Sequence, residues 1–275
     1  FKNTSVITEN FLPSWTIDPQ TILSGSLNTM NGTFRLDFSS PDIRYGGIHF
    51  LQNGINLNGD AQTLSMDVNA GRVNLADSSY ILGLNLSSKT SNNHISYLLR
   101  LADNDTLHNR GKFKGSFDFY SASHFDMHFD SSQIIIQNQP WSLDPENKIT
   151  FDSSAITIHH LNFSNRGEAI KIEGVIGDSI SQNLAIEFSS FKLDNLNPFL
   201  HQSNLVLGGV IDGNAYLSNV RKNAQMETDL HITDLSVNSD TLGVAAIISR
   251  YNSEQKIVVA NIGVTRGSAK VIDMR

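Results

Sequence analysis

The sequence has no cysteine. That absence removes thiolate catalysis, cysteine-ligated zinc and disulfide staples from consideration. Proline is scarce, at 6 in 275 residues, and charged residues make up only 17%. The 20 Lys and Arg are outnumbered by 27 Asp and Glu, for a formal net charge of −7. This balance argues against nucleic acid or an anionic membrane surface as the main partner. No apolar run approaches the roughly 20 residues that a membrane-spanning helix needs; Val244–Ile248 is about the longest. Neither a Gly-x-Ser-x-Gly elbow, a phosphate-binding glycine loop followed by a helix, nor a His-Glu-x-x-His pair occurs.

Small polar residues fill the space left by the missing charges. There are 28 Asn and 33 Ser, residue types that compete with the helical backbone and favour turns and hydrogen-bonded loops. No window of a dozen residues shows helical periodicity. The one helical expectation is a single turn near Asn197-Pro198-Phe199-Leu200, with Pro198 early in it.

Period-two alternation dominates, as in strands with one apolar face. It runs through Phe34-Leu36-Phe38, Leu64-Met66-Val68, Ile95-Tyr97-Leu99, Phe113-Phe117-Phe119 and Phe125-Met127-Phe129. It continues in Ile170-Ile172, Leu184-Ile186-Phe188 and Leu230-Ile232. Turn clusters separate these runs: Asn31-Gly32, Asn58-Gly59-Asp60, Asn69-Ala70-Gly71, Asn92-Asn93, Asp103-Asn104-Asp105, Asn165-Arg166-Gly167 and Tyr251–Glu254. Alternating runs joined by such turns predict antiparallel hairpins and meanders. The apolar phase slips between Ile158 and Leu161, across His159-His160, and between Phe188 and Phe191. Each slip predicts a β-bulge, and Gly115, Gly174 and Gly213 inside strand patterns point to bends.

One motif occurs twice. Trp15-Thr16-Ile17-Asp18-Pro19-Gln20 returns 126 residues later as Trp141-Ser142-Leu143-Asp144-Pro145-Glu146, each with a proline upstream (Pro13, Pro140). A repeat at this spacing divides the chain into like units, about 1–139 and 140–275. Asp-Pro forces an extended or turn conformation, and each Trp reads as a core anchor at the junction. Trp stacking on sugar, as in a carbohydrate-binding module, is the competing reading.

The other polar clusters read as scaffold. His124, Asp126, His128 and Asp130 share one strand face, but residues four apart on a strand are about 13 Å apart, too far to share an ion; they read as solvent-facing. His159-His160 reads as bulge filler, and Gly208–Gly213 as a strand bend rather than a nucleotide loop. The sequons at Asn3, Asn31, Asn85, Asn104 and Asn162 are expected from composition alone.

An apolar sheet face without helices to cover it must be buried somewhere. Folding over into a β-sandwich, closing into a barrel and curling into a ligand-holding groove all achieve this, and alternation alone does not choose among them. From Gln137 onward, the motifs resemble the TamB-type translocation and assembly module proteins, within the AsmA-like, repeating β-groove group. The resemblance rests on Gln139–Ile149 with Ile156–Ser164, on Phe191–Leu200, on Leu207–Asn214 with Tyr216–Asn219, and on Asp229–Leu235 leading to Asp240–Gly243. The first half matches mainly through its Trp15 copy and strand pattern.

The resemblance implies an all-β fold: a long, curved antiparallel sheet of U-shaped section, an internal fragment of a periplasmic protein anchored in the inner membrane. It implies no cofactor and no catalysis. Implied partners are phospholipid acyl chains in the groove and an outer-membrane barrel of the Omp85 type, the latter through parts beyond this fragment. Implied functions are lipid passage between membranes and outer-membrane protein or autotransporter assembly. The alternating residues named above would line the groove. A sandwich or solenoid adhesin or carbohydrate-binding module is the alternative, and a hydrolase on a β-scaffold would require converging carboxylates in a cleft.

Overall fold

A computed structural model describes residues 14–76, 79–102, 109–179, 181–200, 205–220, 224–252, 255 and 257–274. Pro13, Asn3, the Asp103-Asn104-Asp105 turn, Ser253 and Glu254 lie outside the described residues. The fold is all-β. Among the described residues, twenty strands, each antiparallel to its partners, join in one hydrogen-bonded sheet. Two compact units divide the chain: Phe1–Phe119 with Ser132–Asn138, and Tyr120–Ser131 with Gln139–Arg275.

In the first unit, β1 (Trp15–Ile17) and β2 (Ile22–Asn28) both pair with β3 (Thr33–Tyr45). A meander follows through β4 (Ile48–Gly59), β5 (Thr63–Ala76), β6 (Ser79–Ser91), β7 (His94–Ala102) and β8 (Arg110–Ser121). β10 (Gln133–Ile136) pairs with the start of β8.

In the second unit, β9 (His124–Phe129) pairs with β12 (Lys148–Phe151), and β11 (Gln139–Leu143) and β12 both pair with β13 (Ile156–Asn165). The meander then runs β14 (Glu168–Ile176), β15 (Asn183–Lys192), β16 (Leu207–Ser218), β17 (Gln225–Val237), β18 (Asp240–Asn252), β19 (Ile257–Arg266) and β20 (Ala269–Met274). Between β15 and β16, a 3-10 turn (Leu193–Leu196) leads into α1 (Asn197–Leu200), where the sequence placed its one helical turn.

Hairpins close where Asn and Gly stand. Gly32, Asn92, Arg166 and Gly167 all hold positive φ, the geometry tight hairpin turns require. Asn69-Ala70-Gly71 is a correction: it lies inside β5, with Ala70 and Asn69 paired to Asn53 and Gly54 of β4. Gln52, opposite that point, carries φ 55, and past it the apolar row Ile43, Phe50, Val73 and Ile81 resumes one residue out of phase. The cluster is therefore a phase change within a strand, which composition alone cannot distinguish from a turn.

Both expected bulges are present. Register shifts between Ile158 and Leu161 and between Phe188 and Phe191, with His160 and Ser190 in the left-handed region. Further shifts occur between Gly208 and Val210 and between Ile232 and Leu235. Gly174 and Gly213 sit at φ 126 and 123, and a Cβ on either would lie 2.1 or 2.0 Å from the carbonyl oxygen of Asn183 or Asp229 in the next strand. Only glycine fits there, because the clash is with backbone that belongs to the ladder.

Gly213→Ala should therefore lower the unfolding free energy by roughly 3 kcal/mol. Gly167→Ala is the reference substitution, since its Cβ would meet nothing within 4 Å and only the positive φ opposes it; its loss should be about 1 kcal/mol. Urea midpoints of the two variants check the difference; equal losses would refute the backbone-clash account.

Candidate functional site

The feature that dominates each unit is a sheet face, and pairing shows which side chains share it. In the first unit, three rows cross the strands. One is Phe34, Gly59, Leu64, Thr90, Ile95 and Phe117. The next is Gly25, Leu36, Leu57, Met66, Ser88, Tyr97 and Gly115. The third is Leu23, Phe38, Ile55, Val68, Leu86, Leu99 and Phe113. The Tyr97 and Phe117 rings pack with centroids 5.1 Å apart, and Phe119 lies 6.4 Å beyond Phe117. The intervening positions carry the opposite chemistry: Asp37, Asn56, Asp67 and Ser87 form one row, and Arg35, Asn58, Ser65, Lys89, Ser96 and Ser116 another.

The second unit repeats the arrangement. Phe125, Phe151, Ile156 and Ile176 form a row, with the Phe125 and Phe151 rings stacked at 4.6 Å. Beside it run Met127, Ile149, Ile158, Gly174, Leu184 and Leu217, then Leu161, Ile172, Ile186 and Ala215. Phe163, Ile170, Phe188, Gly213, Leu230 and Ile247 form the next row, and Phe191, Ile211, Ile232 and Ala245 the last. Ile149, Ile158 and Leu184 are buried, and Met127, Phe129, Phe151 and Ile172 pack against them.

Most side chains on these faces are only half-buried. Leu36, Phe38, Leu64, Met66, Val68, Ile95, Leu99, Phe113, Phe117, Phe119, Ile170, Ile172, Ile186, Phe188 and Leu230 all fall in this class, and Phe34 is exposed. Tyr97, Leu184 and Ile232 are buried. The row Phe191, Ile211, Ile232 and Ala245 is buried throughout, whereas most other side chains on the faces keep accessible surface that two closely packed sheets would remove. Lateral contact along the rows leaves the face partly available to a further apolar surface.

The two copies of the repeated motif have the same hydrogen bonds. The amide of Asp18 donates to the carbonyl oxygen of Asp42 at 3.0 Å, and that of Asp144 to the carbonyl of Asn162 at 2.9 Å. Each carboxylate accepts from the amide two residues on, Gln20 at 2.7 Å and Glu146 at 2.9 Å. Each Asp carbonyl accepts from the amide three residues on, Thr21 and Asn147, and from that residue's side chain at 2.6 and 2.5 Å. Pro19 and Pro145 occupy the middle of these turns, where they need no amide hydrogen. The motif is thus a turn that interrupts one strand while its partner, β3 or β13, runs on unbroken.

Neither indole forms a solvent-facing platform. Trp15 is half-buried with its ring 4.6 Å from Tyr45, and Trp141 is 3% exposed and packs 5.7 Å from Phe191. Nearby, buried Glu168 accepts from the Lys192 amide at 3.0 Å and Asn195 Nδ2 at 2.8 Å, with Lys192 Nζ at 3.3 Å. That carboxylate fixes the departure of the chain from β15 into the 3-10 turn.

Reading the β9 polar residues as solvent-facing needs correction at Asp126 and His128. Asp126 is 4% exposed and receives hydrogen bonds from Tyr120 Oη at 2.8 Å and Thr150 Oγ1 at 2.7 Å, with Lys148 Nζ at 2.8 Å. Burial works to raise its pKa, but the Lys148, Thr150 and Tyr120 hydrogen bonds hold it down to about 2. His128 is half-buried, its Nδ1 2.9 Å from the carbonyl oxygen of Asn147. Sequence proximity could not show this, because Lys148 and Thr150 come from a strand that pairs with β9 across some twenty residues of chain. Among the described residues, no group of three or more His, Asp or Glu is arranged to hold a metal ion.

No family model matches the chain, and neither a curated protein nor a solved structure matches it.

Asp126→Asn should cost on the order of 2 kcal/mol of unfolding free energy near pH 6. A depressed carboxylate pKa stabilises the fold above the unfolded value of about 4. That contribution is lost as pH falls through the folded value near 2, so the gap between wild type and variant should close over this window. Denaturant titrations at several pH values measure it, and a gap that stays constant to pH 2 would contradict the assignment.

Proposed function

We propose that this chain is a non-enzymatic β-groove segment that shields or conducts phospholipid acyl chains between membranes. The observation that carries the reading is the one-sided, half-exposed apolar face that each unit keeps from strand to strand. Acyl chains laid against it would remove apolar surface from water at about 2.5 kcal/mol per 100 Å² covered. Headgroups would remain beside the polar margins, and no bond need be made or broken. The motif resemblance to TamB-type proteins supports the same reading. It adds a periplasmic setting, an inner-membrane anchor and an Omp85-type barrel as partners of the longer protein, and a role in outer-membrane biogenesis. The curvature that turns a sheet into a groove belongs to this proposal; long strands with repeated bulges favour it, because each bulge increases local twist.

A photo-crosslinking side chain placed singly at Leu99, Phe117 or Ile172 tests the proposal in cells. These face positions should capture phospholipid, whereas Asp118 and Lys171 on the polar side should capture little. Equal lipid labelling of both sides, or none at the face positions, would overturn it.

A further inference from the structure

We infer that the outer edge of β2 is a docking site for one added antiparallel strand, of the alternating Phe/Met and His/Asp chemistry of β9. The inference stands independently of what the apolar face binds. It comes from superposing the two copies of the repeated turn in sequence. With Asp18 set on Asp144, Leu23 falls on Ile149, Ser24 on Thr150 and Gly25 on Phe151. Both short strands pair on one side with the long strand, Leu23 with Phe38 and Ile149 with Ile158. On its other side, β12 carries β9: Ile149 faces Met127, Thr150 faces Asp126, and Phe151 faces Phe125.

No such strand lies along β2 among the described residues. Shifted by 126 positions, β9 would end at position 3, outside them. The consequence is visible in burial. Ile149 is 8% exposed, whereas in β2 only Leu23 is half-buried, and Ile22 and Leu27 are 65% and 70% exposed. An edge strand with exposed apolar side chains and a free row of backbone groups is a template for strand addition. The equivalence also fixes the register: an apolar residue opposite Leu23, an acidic one opposite Ser24, and an aromatic ring over Gly25, which has no side chain of its own. One difference affects how the strand is held. Asn147 binds β9 directly, with Nδ2 donating to the Phe129 carbonyl at 2.7 Å and Oδ1 accepting from its amide at 2.8 Å. Thr21 bonds Ser40 Oγ at 2.7 Å instead. The added strand is therefore held by ladder bonds along the seven residues of β2, where β12 offers four.

The absence of native cysteine makes register-specific disulfide trapping clean. The probe is a synthetic peptide of residues 122–131, and opposed Cβ atoms in an antiparallel pair lie within about 5.5 Å. Leu23→Cys protein should be trapped by the peptide carrying Met127→Cys, and Ser24→Cys protein by the peptide carrying Asp126→Cys. The two crossed combinations should give at least tenfold less adduct. Circular dichroism confirms that each variant is folded, and the Ser24 arm stands alone if Leu23→Cys is not. Adduct no greater than with a scrambled peptide, or the same in matched and crossed registers, overturns the inference. So does stronger trapping at Ile149→Cys than at Leu23→Cys, which would mean that the peptide displaces β9 rather than docking on β2.

Discussion

Cross-strand pairing on one face is the interaction on which the rest of this structure depends. Among the described residues helices are almost absent, so each strand satisfies its backbone through its ladder neighbours and buries its side chains against the same neighbours. Burial then follows position in the ladder. Ile149, Ile158 and Leu184 are buried because rows continue on both sides of them. Leu23 belongs to an equally apolar row but has a described neighbour on one side only, and it stays half-exposed. The polar rows on the reverse side follow the same logic: Lys171 reaches Glu187 at 3.1 Å, directly across the ladder. Exposed pairs of this kind contribute at most about 1 kcal/mol, so the apolar rows hold the sheet together.

Strands of 10 to 13 residues accumulate right-handed twist along their length, and several of them here carry a local change of register. The bulges provide it. At His160 and Ser190, two residues stand opposite one, and the apolar side chains beyond them return to the face already established. Ser190 shows how the extra residue is accommodated, its amide donating to Asp212 Oδ1 at 2.7 Å. In the first unit, the phase change at Ser40 and Asn53 is lined with buried polar groups that bond one another and Thr21. Hydrogen bonds among Ser40, Asn53 and Thr21 limit the cost of breaking the pattern there.

These adjustments also explain what the sequence could and could not reveal. Alternation identified β3, β5, β7, β8, β9, β14, β15 and β17, and Asn-Gly chemistry identified the Asn31-Gly32 and Arg166-Gly167 hairpins, because both signals are local. The bulges at 159–160 and 189–190 were legible because apolar residues change parity across them. At Asn69-Ala70-Gly71 the same composition that makes a turn makes a phase change, and only the pairing of β5 with β4 separates the two. The burial of Asp126 and Glu168 was hidden for another reason: their partners Lys148 and Lys192 are some twenty residues away and meet them only once the strands pair. Side-chain membership of a face could be read from the sequence. Its accessibility could not, since exposure depends on what lies alongside.

The repeated turn shows the same dependence of side-chain role on surroundings. Its six residues are nearly interchangeable between copies, and the hydrogen-bond lengths that they set agree to within a few tenths of an ångström. The residue that follows differs, and the difference matches the surroundings. Asn147 has both a donor and an acceptor free to bind a neighbouring backbone, and a strand lies there; Thr21 has a single hydroxyl, already shared between Asp18 and Ser40. The polar groups of the turn bond one another and the strand beside it. The turn sets where one strand stops and the next begins, and the residue after it sets how tightly a further strand is tied to the edge. What the turn organises is therefore the extent of the apolar faces and the position of the strand edges beside them.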